Sequence, residues 1–122
     1  MLYIYILKCQ YNKYYVGKTY NIKKRMKEHK SNEGSVWTKK YPMIKLIRLV
    51  SNCDIYDEDK YTLMYMDRYG IENVRGGTYC RVILPDYQIK TLNDQLRHNR
   101  NLCFICGQSK HYVSKCPNKK KD

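Results

Sequence analysis

The 122-residue sequence contains no alanine and only one phenylalanine and one tryptophan, and none of its apolar runs approaches the roughly 20 residues that cross a bilayer. We therefore do not expect a membrane-spanning helix. The opening stretch, MLYIYILKCQ, also lacks the basic leader and the small-residue cleavage site of a secretory signal. These absences predict an intracellular protein of the cytoplasm or the nucleus. The missing alanine is typical of AT-rich genomes, those of viruses among them.

Acidic residues are scarce. The chain has 11 Asp and Glu against 24 Lys and Arg, which gives a net charge of +13. Because a charge of this size destabilises a compact state by self-repulsion, it indicates a polyanionic partner, and nucleic acid is the first candidate. A surface that only maintains solubility and an acidic lipid partner are the alternatives.

Six cysteines are present, and in an intracellular protein they are expected as thiols or metal ligands. Cys9, Cys53 and Cys80 are isolated and are interpreted as small hydrophobic residues. The others form a C-x2-C-x4-H-x4-C pattern within CFICGQSKHYVSKC: Cys103, Cys106, His111 and Cys116. Three thiolates and an imidazole are a ligand set of tetrahedral zinc, so this spacing predicts a structural Zn²⁺ site.

This segment resembles a retroviral-type CCHC zinc knuckle. The resemblance implies that Phe104 and Tyr112 stack on unpaired bases and that Lys110 and Lys115 meet phosphate. Lys110 departs from the glycine that usually precedes the histidine. A chance match without metal and a protein-binding module are the alternatives, and the KKKD tail is either solvated charge or a further phosphate contact.

The preceding residues alternate between predicted strands and helices, which indicates an α/β fold. Residues 2–8 and 14–18 are expected to form an antiparallel hairpin, and 43–50 a third antiparallel strand. Helices are predicted at 22–31, with Asn21 as the N-cap, at 57–70 and at 87–100. The expected sheet is small, three-stranded and antiparallel.

Several side chains suited to phosphodiester chemistry fall on these elements. Arg25 and His29 are four residues apart and so share one helix face, beside Ile22 and Met26. Tyr5 and Tyr15 lie on neighbouring strands, and the acids 57–59 open a later helix. Cleaving a phosphodiester requires a base, a cation near the phosphoryl oxygens and commonly a divalent metal on a carboxylate. These are the components of a metal-dependent phosphodiesterase.

The order of these residues resembles that of the GIY-YIG endonuclease family. YIY at 3–5 stands for GIY, with Tyr3 replacing glycine, YVG at 15–17 stands for YIG, and GKTYNIKKRMKEH at 17–29 carries the arginine and histidine of the first helix. The resemblance implies a three-stranded antiparallel sheet between helices and DNA hydrolysis with Mg²⁺ or Mn²⁺.

The resemblance also implies a role for each site residue. Tyr5 would accept a proton or orient water, and Tyr15 would be a second phenol at the phosphate. Arg25 would be the phosphate cation and His29 a supporting hydrogen-bonding group. The metal-binding glutamate is expected at Glu58, with Asp59 as the competing position, and Lys18 is a candidate DNA contact.

The expected organisation is a nuclease domain at 1–86, a helical linker at 87–101, a zinc knuckle at 102–118 and a basic tail at 119–122. The sequence therefore predicts a metal-dependent endonuclease whose knuckle grips single-stranded nucleic acid. Its expected partner is DNA, including branched, flap or single-stranded forms, or RNA, and no membrane. A catalytically inert nucleic-acid binder or chaperone is the alternative.

Overall fold

The computed structural model describes residues 1–100. The elements, in chain order, are β1 (Tyr3–Cys9), β2 (Lys13–Thr19), α1 (Ile22–Lys30), α2 (Val36–Lys40), β3 (Met43–Val50), α3 (Asp57–Tyr69), β4 (Val74–Gly76) and α4 (Asp86–Arg100), with 3-10 turns at Gln10–Asn12 and Ile71–Asn73. None of the helices in this described part has the length and hydropathy needed to span a membrane. The predicted zinc knuckle lies outside the described residues.

The sheet has four strands in the order β3-β1-β2-β4. β1 pairs antiparallel with β2 and β3, as predicted, but β4 pairs parallel with β2. The prediction of a three-stranded, wholly antiparallel sheet was therefore wrong. β4 has only three residues and ends at a glycine pair, so its sequence carries no alternation and is typical of a loop.

The position of a strand in the sheet sets its burial. β1 is central, and Ile4, Tyr5, Ile6 and Leu7 are fully buried, so both of its faces are covered. β3 is an edge strand, and its six interior residues, 44–49, are all exposed. The sheet is therefore packed around the β1–β2 hairpin, where both predicted phenols lie.

The predicted helices at 22–31 and 57–70 are present with nearly the expected bounds. Asn21 caps α1 by accepting a hydrogen bond from the Lys24 backbone N–H at 3.1 Å. Asp57, Glu58 and Asp59 form the acidic first turn of α3, and the helix ends at Gly70, whose φ is +99°. α2 was not predicted. It begins at Ser35, which forms a capping box with Thr38.

Arg75 organises the chain after β4. Its buried guanidinium stacks over Trp37, 4.7 Å from the ring centre, and donates to four backbone carbonyls: Ile71, Val74, Arg81 and Val82. A buried guanidinium that is not paired with a carboxylate needs hydrogen-bond acceptors for its N–H groups, and these carbonyls supply them. Arg75 therefore ties β4 to the residues on both sides of it.

Two compact units divide the chain, Met1–Leu84 and Pro85–Asp122. α4 is the described element of the second unit. The boundaries predicted for the four segments of the chain stay a prediction.

Candidate active site

Tyr5 lies at the centre of the site because of its position on β1. It pairs across the hairpin with Gly17 on β2. The phenol lies directly over this glycine, and an added Cβ there would overlap the ring and hydroxyl of Tyr5. The glycine of the YVG motif therefore provides the space that the motif tyrosine of the neighbouring strand occupies.

α1 presents the arginine and the histidine to this phenol. Ile22, Arg25, Met26 and His29 are the half-buried or buried residues of one face, whereas the helix's lysines are exposed. Ile22 and Met26 pack on the core cluster that contains Tyr5 and Tyr15. The helix face predicted from the four-residue spacing is thus turned toward the sheet.

The Tyr5 hydroxyl connects the two side chains. Arg25 Nε donates to Tyr5 Oη at 3.0 Å, and Tyr5 Oη lies 2.9 Å from His29 Nε2. His29 Nδ1 is 3.2 Å from Thr38 Oγ1. We call these four side chains, Arg25, Tyr5, His29 and Thr38, the phenol–imidazole chain. Their hydrogen bonds join β1, α1 and α2.

Burial controls the protonation of this chain. It raises the pKa of Tyr5 well above the ordinary value, with Tyr15 adding to the shift and the Arg25 hydrogen bond opposing it. Burial, followed by the positive charge of Arg25, lowers the pKa of His29 to about 4. At neutral pH, Tyr5 is a phenol and His29 is a neutral imidazole, which can accept a proton.

Tyr15 is the second phenol of the site. The ring centres of Tyr5, Tyr15 and His29 lie 5.5 to 6.1 Å from one another. Burial raises the pKa of Tyr15, while Arg25 and a hydrogen bond from Ser35 oppose the shift. Two phenols and an imidazole therefore lie together, and Arg25 hydrogen-bonds to both phenols.

Glu58 brings a carboxylate to this group from the first turn of α3. Burial raises its pKa, and the ion pair with Lys18, 3.7 Å away, only partly offsets that shift. The charge of Glu58 in turn raises the pKa of both Tyr5 and Tyr15, as a smaller contribution than burial. The structure thus brings together Tyr5, Tyr15, Arg25 and His29, and it places the Glu58–Lys18 pair within electrostatic range of the two phenols.

The neighbouring acids have other partners. Asp59 accepts hydrogen bonds from the backbone N–H and the hydroxyl of Thr78, at 2.8 and 2.7 Å. Asp57 accepts from the backbone N–H of Asp54 at 2.9 Å. Asp59 therefore bonds the turn after β4, whereas the partners of the Glu58 carboxylate among residues 1–100 are Lys18, through a long ion pair, and a backbone group at Gly77.

Of the carboxylates in the described part of the chain, Glu58 is the candidate ligand of a divalent cation. No group of three or more His, Cys, Asp or Glu side chains is placed to hold a metal within residues 1–100. Mg²⁺, however, is usually held by one or two carboxylates, with water and substrate phosphate completing its shell. A half-buried carboxylate whose charge is poorly compensated suits that mode of binding.

Comparison with known proteins agrees with this geometry. Residues 1–61, half of the chain, match the sequence model of the GIY-YIG catalytic domain. The chain belongs to the GIY-YIG family. Domains of this family are generally nucleases. The match includes both motif tyrosines, α1 and the start of α3.

A relative from Syntrophus aciditrophicus (strain SB), printed as a UPF0213 protein, is 44% identical over 48 residues, which is 38% of this chain. The matched segment spans 55% of that relative's length. No solved structure matches the chain.

Sequence reasoning missed three residues that contact Arg25 or His29. Glu28, one turn from Arg25, pairs with its Nη1 at 3.1 Å. Thr38 and Gly34 contact the His29 ring from the segment around α2. The Ser35–Thr38 spacing of a capping box was the available signal for α2. The predicted knuckle residues Cys103, Phe104, Cys106, Lys110, His111, Tyr112, Lys115 and Cys116 lie beyond the described residues.

Proposed function

We propose that this chain is a divalent-metal-dependent endonuclease that hydrolyses DNA phosphodiester bonds. The observation that carries the proposal is the position of the Tyr5 hydroxyl, which lies between Arg25 Nε at 3.0 Å and His29 Nε2 at 2.9 Å. The charge of Glu58 acts on the same phenol. A base, a phosphate-binding cation and a metal-binding carboxylate are therefore close together.

Glu58 is the residue that would hold Mg²⁺ or Mn²⁺. The bound cation would offset the negative charge that develops on the phosphoryl oxygens. Asp59 is less suited, because both of its oxygens already accept hydrogen bonds from Thr78. Lys18, whose side chain is 44% exposed, is free to exchange its Glu58 contact for a DNA phosphate when the cation binds.

Arg25 is placed to bind the scissile phosphate. Its Nε contacts Tyr5 and its Nη1 contacts Glu28. A guanidinium has five N–H donors in a fixed plane, so further donors remain for phosphate oxygens. Glu28 and Tyr5 hold that plane in one orientation, and Tyr15 contributes a second hydroxyl beside it. Such fixed donors stabilise the transition state without reorganisation.

Tyr5 acts as the proton acceptor. A water oxygen forms the new bond to phosphorus and gives its proton to Tyr5 Oη, while Tyr5 passes its own proton to His29 Nε2. The scissile P–O bond breaks with its electron pair on the leaving oxygen, which takes a proton from solvent. His29 can accept the proton because it is neutral, its pKa being lowered to about 4.

A cleavage assay tests the proposal directly. The full chain is incubated with single-stranded, duplex, flap and branched DNA, with and without Mg²⁺ or Mn²⁺. We expect shorter products only with the metal. Equal DNA binding with and without metal, and no product from any substrate, would instead indicate a nucleic-acid binder on a nuclease scaffold.

The C-terminal CCHC segment supports a second part of the proposal. Its ligand spacing suits a Zn²⁺ site made by Cys103, Cys106, His111 and Cys116. Phe104 and Tyr112 would then stack on unpaired bases, and Lys110 and Lys115 would contact phosphate. The knuckle would thereby favour substrates that carry a single-stranded arm.

Mutation of the aromatic residues tests the knuckle. Stacking is worth about 1 to 3 kcal/mol per base, so Phe104→Ala with Tyr112→Ala should reduce the preference for flap over plain duplex DNA by roughly 5-fold or more. Cleavage of duplex, which offers no unpaired base, is the internal control. An unchanged preference would exclude the knuckle as a selector of substrate.

A further inference from the structure

The His29 ring is held from the side opposite to Tyr5 by a short segment around the start of α2. Its Nδ1 lies 3.2 Å from Thr38 Oγ1, and Thr38 is only 2% exposed. Gly34 covers the same edge of the ring, because an added Cβ at Gly34 would overlap His29 Nδ1 and approach Thr38 Oγ1 to 2.8 Å. Both side chains of this contact are therefore buried.

The surroundings of Thr38 allow its hydroxyl to be the acceptor in this contact. Its oxygen accepts the backbone N–H of Ser35 at 3.0 Å. Its own hydrogen can go to the Ser35 carbonyl at 3.2 Å, to the Ser35 hydroxyl at 3.1 Å or to His29 Nδ1 at 3.2 Å. A hydroxyl has one hydrogen and two lone pairs, so with its hydrogen on Ser35 it is an acceptor toward the imidazole.

The Tyr5 hydroxyl leads to the same assignment independently. Its oxygen accepts from Arg25 Nε, and the residue is fully buried. If His29 Nε2 also donated to this oxygen, the Tyr5 hydrogen would have no acceptor among the described residues, at the cost of an unsatisfied buried donor. Donation from Tyr5 to Nε2 satisfies every group.

We propose that Thr38 is a positioning residue that holds His29 in its Nδ1–H tautomer, so that Nε2 is the acceptor for the Tyr5 proton. Hydrogen bonds then run in one direction, from Arg25 to Tyr5, His29, Thr38 and Ser35. The inference deepens the proposed nuclease function and rests on it for its catalytic consequence. Gly34 allows the close approach that the contact requires.

Nitrogen NMR of the full chain tests the tautomer without any cleavage assay. In ¹⁵N-labelled protein at neutral pH, the two ring nitrogens of His29 should have the shifts of a protonated Nδ1 and an unprotonated Nε2. The reverse pattern would overturn the proposal even if Thr38 variants failed to fold. Absence of nuclease activity in a protein with the expected tautomer would instead count against the proposed function alone.

Substitution of Thr38 tests the consequence. Thr38→Val keeps the shape and removes the hydroxyl, together with its capping-box contact to Ser35, and Thr38→Ser keeps the hydroxyl as the matched control. We expect Thr38→Val to lose the Nδ1–H signature and to lower kcat by about 10-fold or more, with the roughly 100- to 10,000-fold contribution of a positioned base as the upper limit. Thr38→Ser should retain both the Nδ1–H tautomer and the wild-type kcat.

The pH profile separates this role from packing. The charged and titratable groups facing His29 are Tyr5 from β1, Tyr15 from β2, and Arg25 and Glu28 from α1. Thr38→Val leaves all of them unchanged. The acidic limb of the pH profile of kcat should therefore shift in Thr38→Val relative to wild type. In Thr38→Ser this limb should stay where it is in wild type. Equal profiles, tautomers and rates in wild type and Thr38→Val would refute the positioning role.

Discussion

The two sides of the candidate site differ in how completely their polar groups are matched. On one side, the phenol–imidazole chain links three elements through contacts of 2.9 to 3.2 Å, and Tyr5, His29 and Thr38 are buried. On the other side, Glu58 has an ion pair of 3.7 Å to a lysine whose side chain is 44% exposed. One side is preorganised and the other is open.

This difference matches the two tasks of a hydrolytic phosphodiesterase. Groups that stabilise a transition state or move a proton work best when their geometry is fixed beforehand. A carboxylate that takes up a hydrated cation needs space for water and phosphate around it. The contrast predicts that changes on the two sides will have different consequences for binding, rate and stability.

The largest effect is expected on the open side. Glu58→Gln removes the negative charge with little change in shape, so it should abolish metal-dependent cleavage while DNA binding stays nearly intact. Cleavage at saturating Mg²⁺ and binding to the same DNA measure the two properties. The poor compensation of the Glu58 charge also predicts that this variant is not destabilised at neutral pH.

Asp59→Asn is the matched control for that substitution. Asp59 belongs to the same helical turn but bonds Thr78, so its loss should lower stability by about 1 to 3 kcal/mol, typical of a hydrogen bond to a charged group, and spare most of the activity. Full activity in Glu58→Gln together with inactivity in Asp59→Asn would reverse the assignment of the metal ligand.

A smaller effect on the rate is expected from the preorganised side. Arg25→Ala should slow cleavage by roughly 100-fold or more, in the range for removal of one fixed transition-state donor. Arg25→Lys keeps the charge but cannot reproduce the fork that contacts Tyr5 and Glu28, so it should recover only part of the rate. Single-turnover rates and DNA affinity are measured together. A loss of affinity as large as the loss of rate would make Arg25 a general phosphate contact.

The sequence predicted the part of the fold that depends on local pattern. Asn21 as the N-cap, the acidic first turn of α3 and the hairpin were all confirmed, because capping and alternation are short-range properties. β4 was missed because its pairing with β2 joins residues about 60 positions apart. LYIYILK and MIKLIRLV look equally apolar, yet only the first is central in the sheet, which no local pattern records.

The candidate site, like the fold, could be predicted only where local spacing determines it. The i, i+4 spacing placed Arg25 and His29 on one helix face, and the structure turns that face toward Tyr5. The sequence favoured Glu58 and kept Asp59 as the competing position, because the hydrogen bond that occupies Asp59 comes from Thr78, 19 residues away. The sequence could not place Thr38, whose contact with His29 requires the unpredicted helix α2 and the close approach of Gly34.

The smallest expected effect concerns stability, where the two sides have opposite pH dependence. The pKa of His29 is about 4 in the folded chain against an ordinary value of 6.5, so the unfolded state binds the proton more readily. Stability from this group is therefore complete above pH 6.5 and is lost as the pH falls toward 4, by at most about 3 kcal/mol. The pKa of Glu58 is raised, so its contribution is present at low pH and is lost as the pH rises through its folded value.

Denaturant titrations between pH 4 and pH 7 sharpen this comparison. We expect His29→Gln to flatten the decline of the free energy of unfolding on acidification, because its side chain does not titrate. Glu58→Gln should steepen the decline, since it removes the group that favours the folded state in acid. Slopes are compared rather than absolute stabilities, so any change in packing common to all pH values cancels. If both variants followed the wild-type slope, neither burial of His29 nor burial of Glu58 would govern protonation at this site, and the contrast between its two sides would not extend to stability.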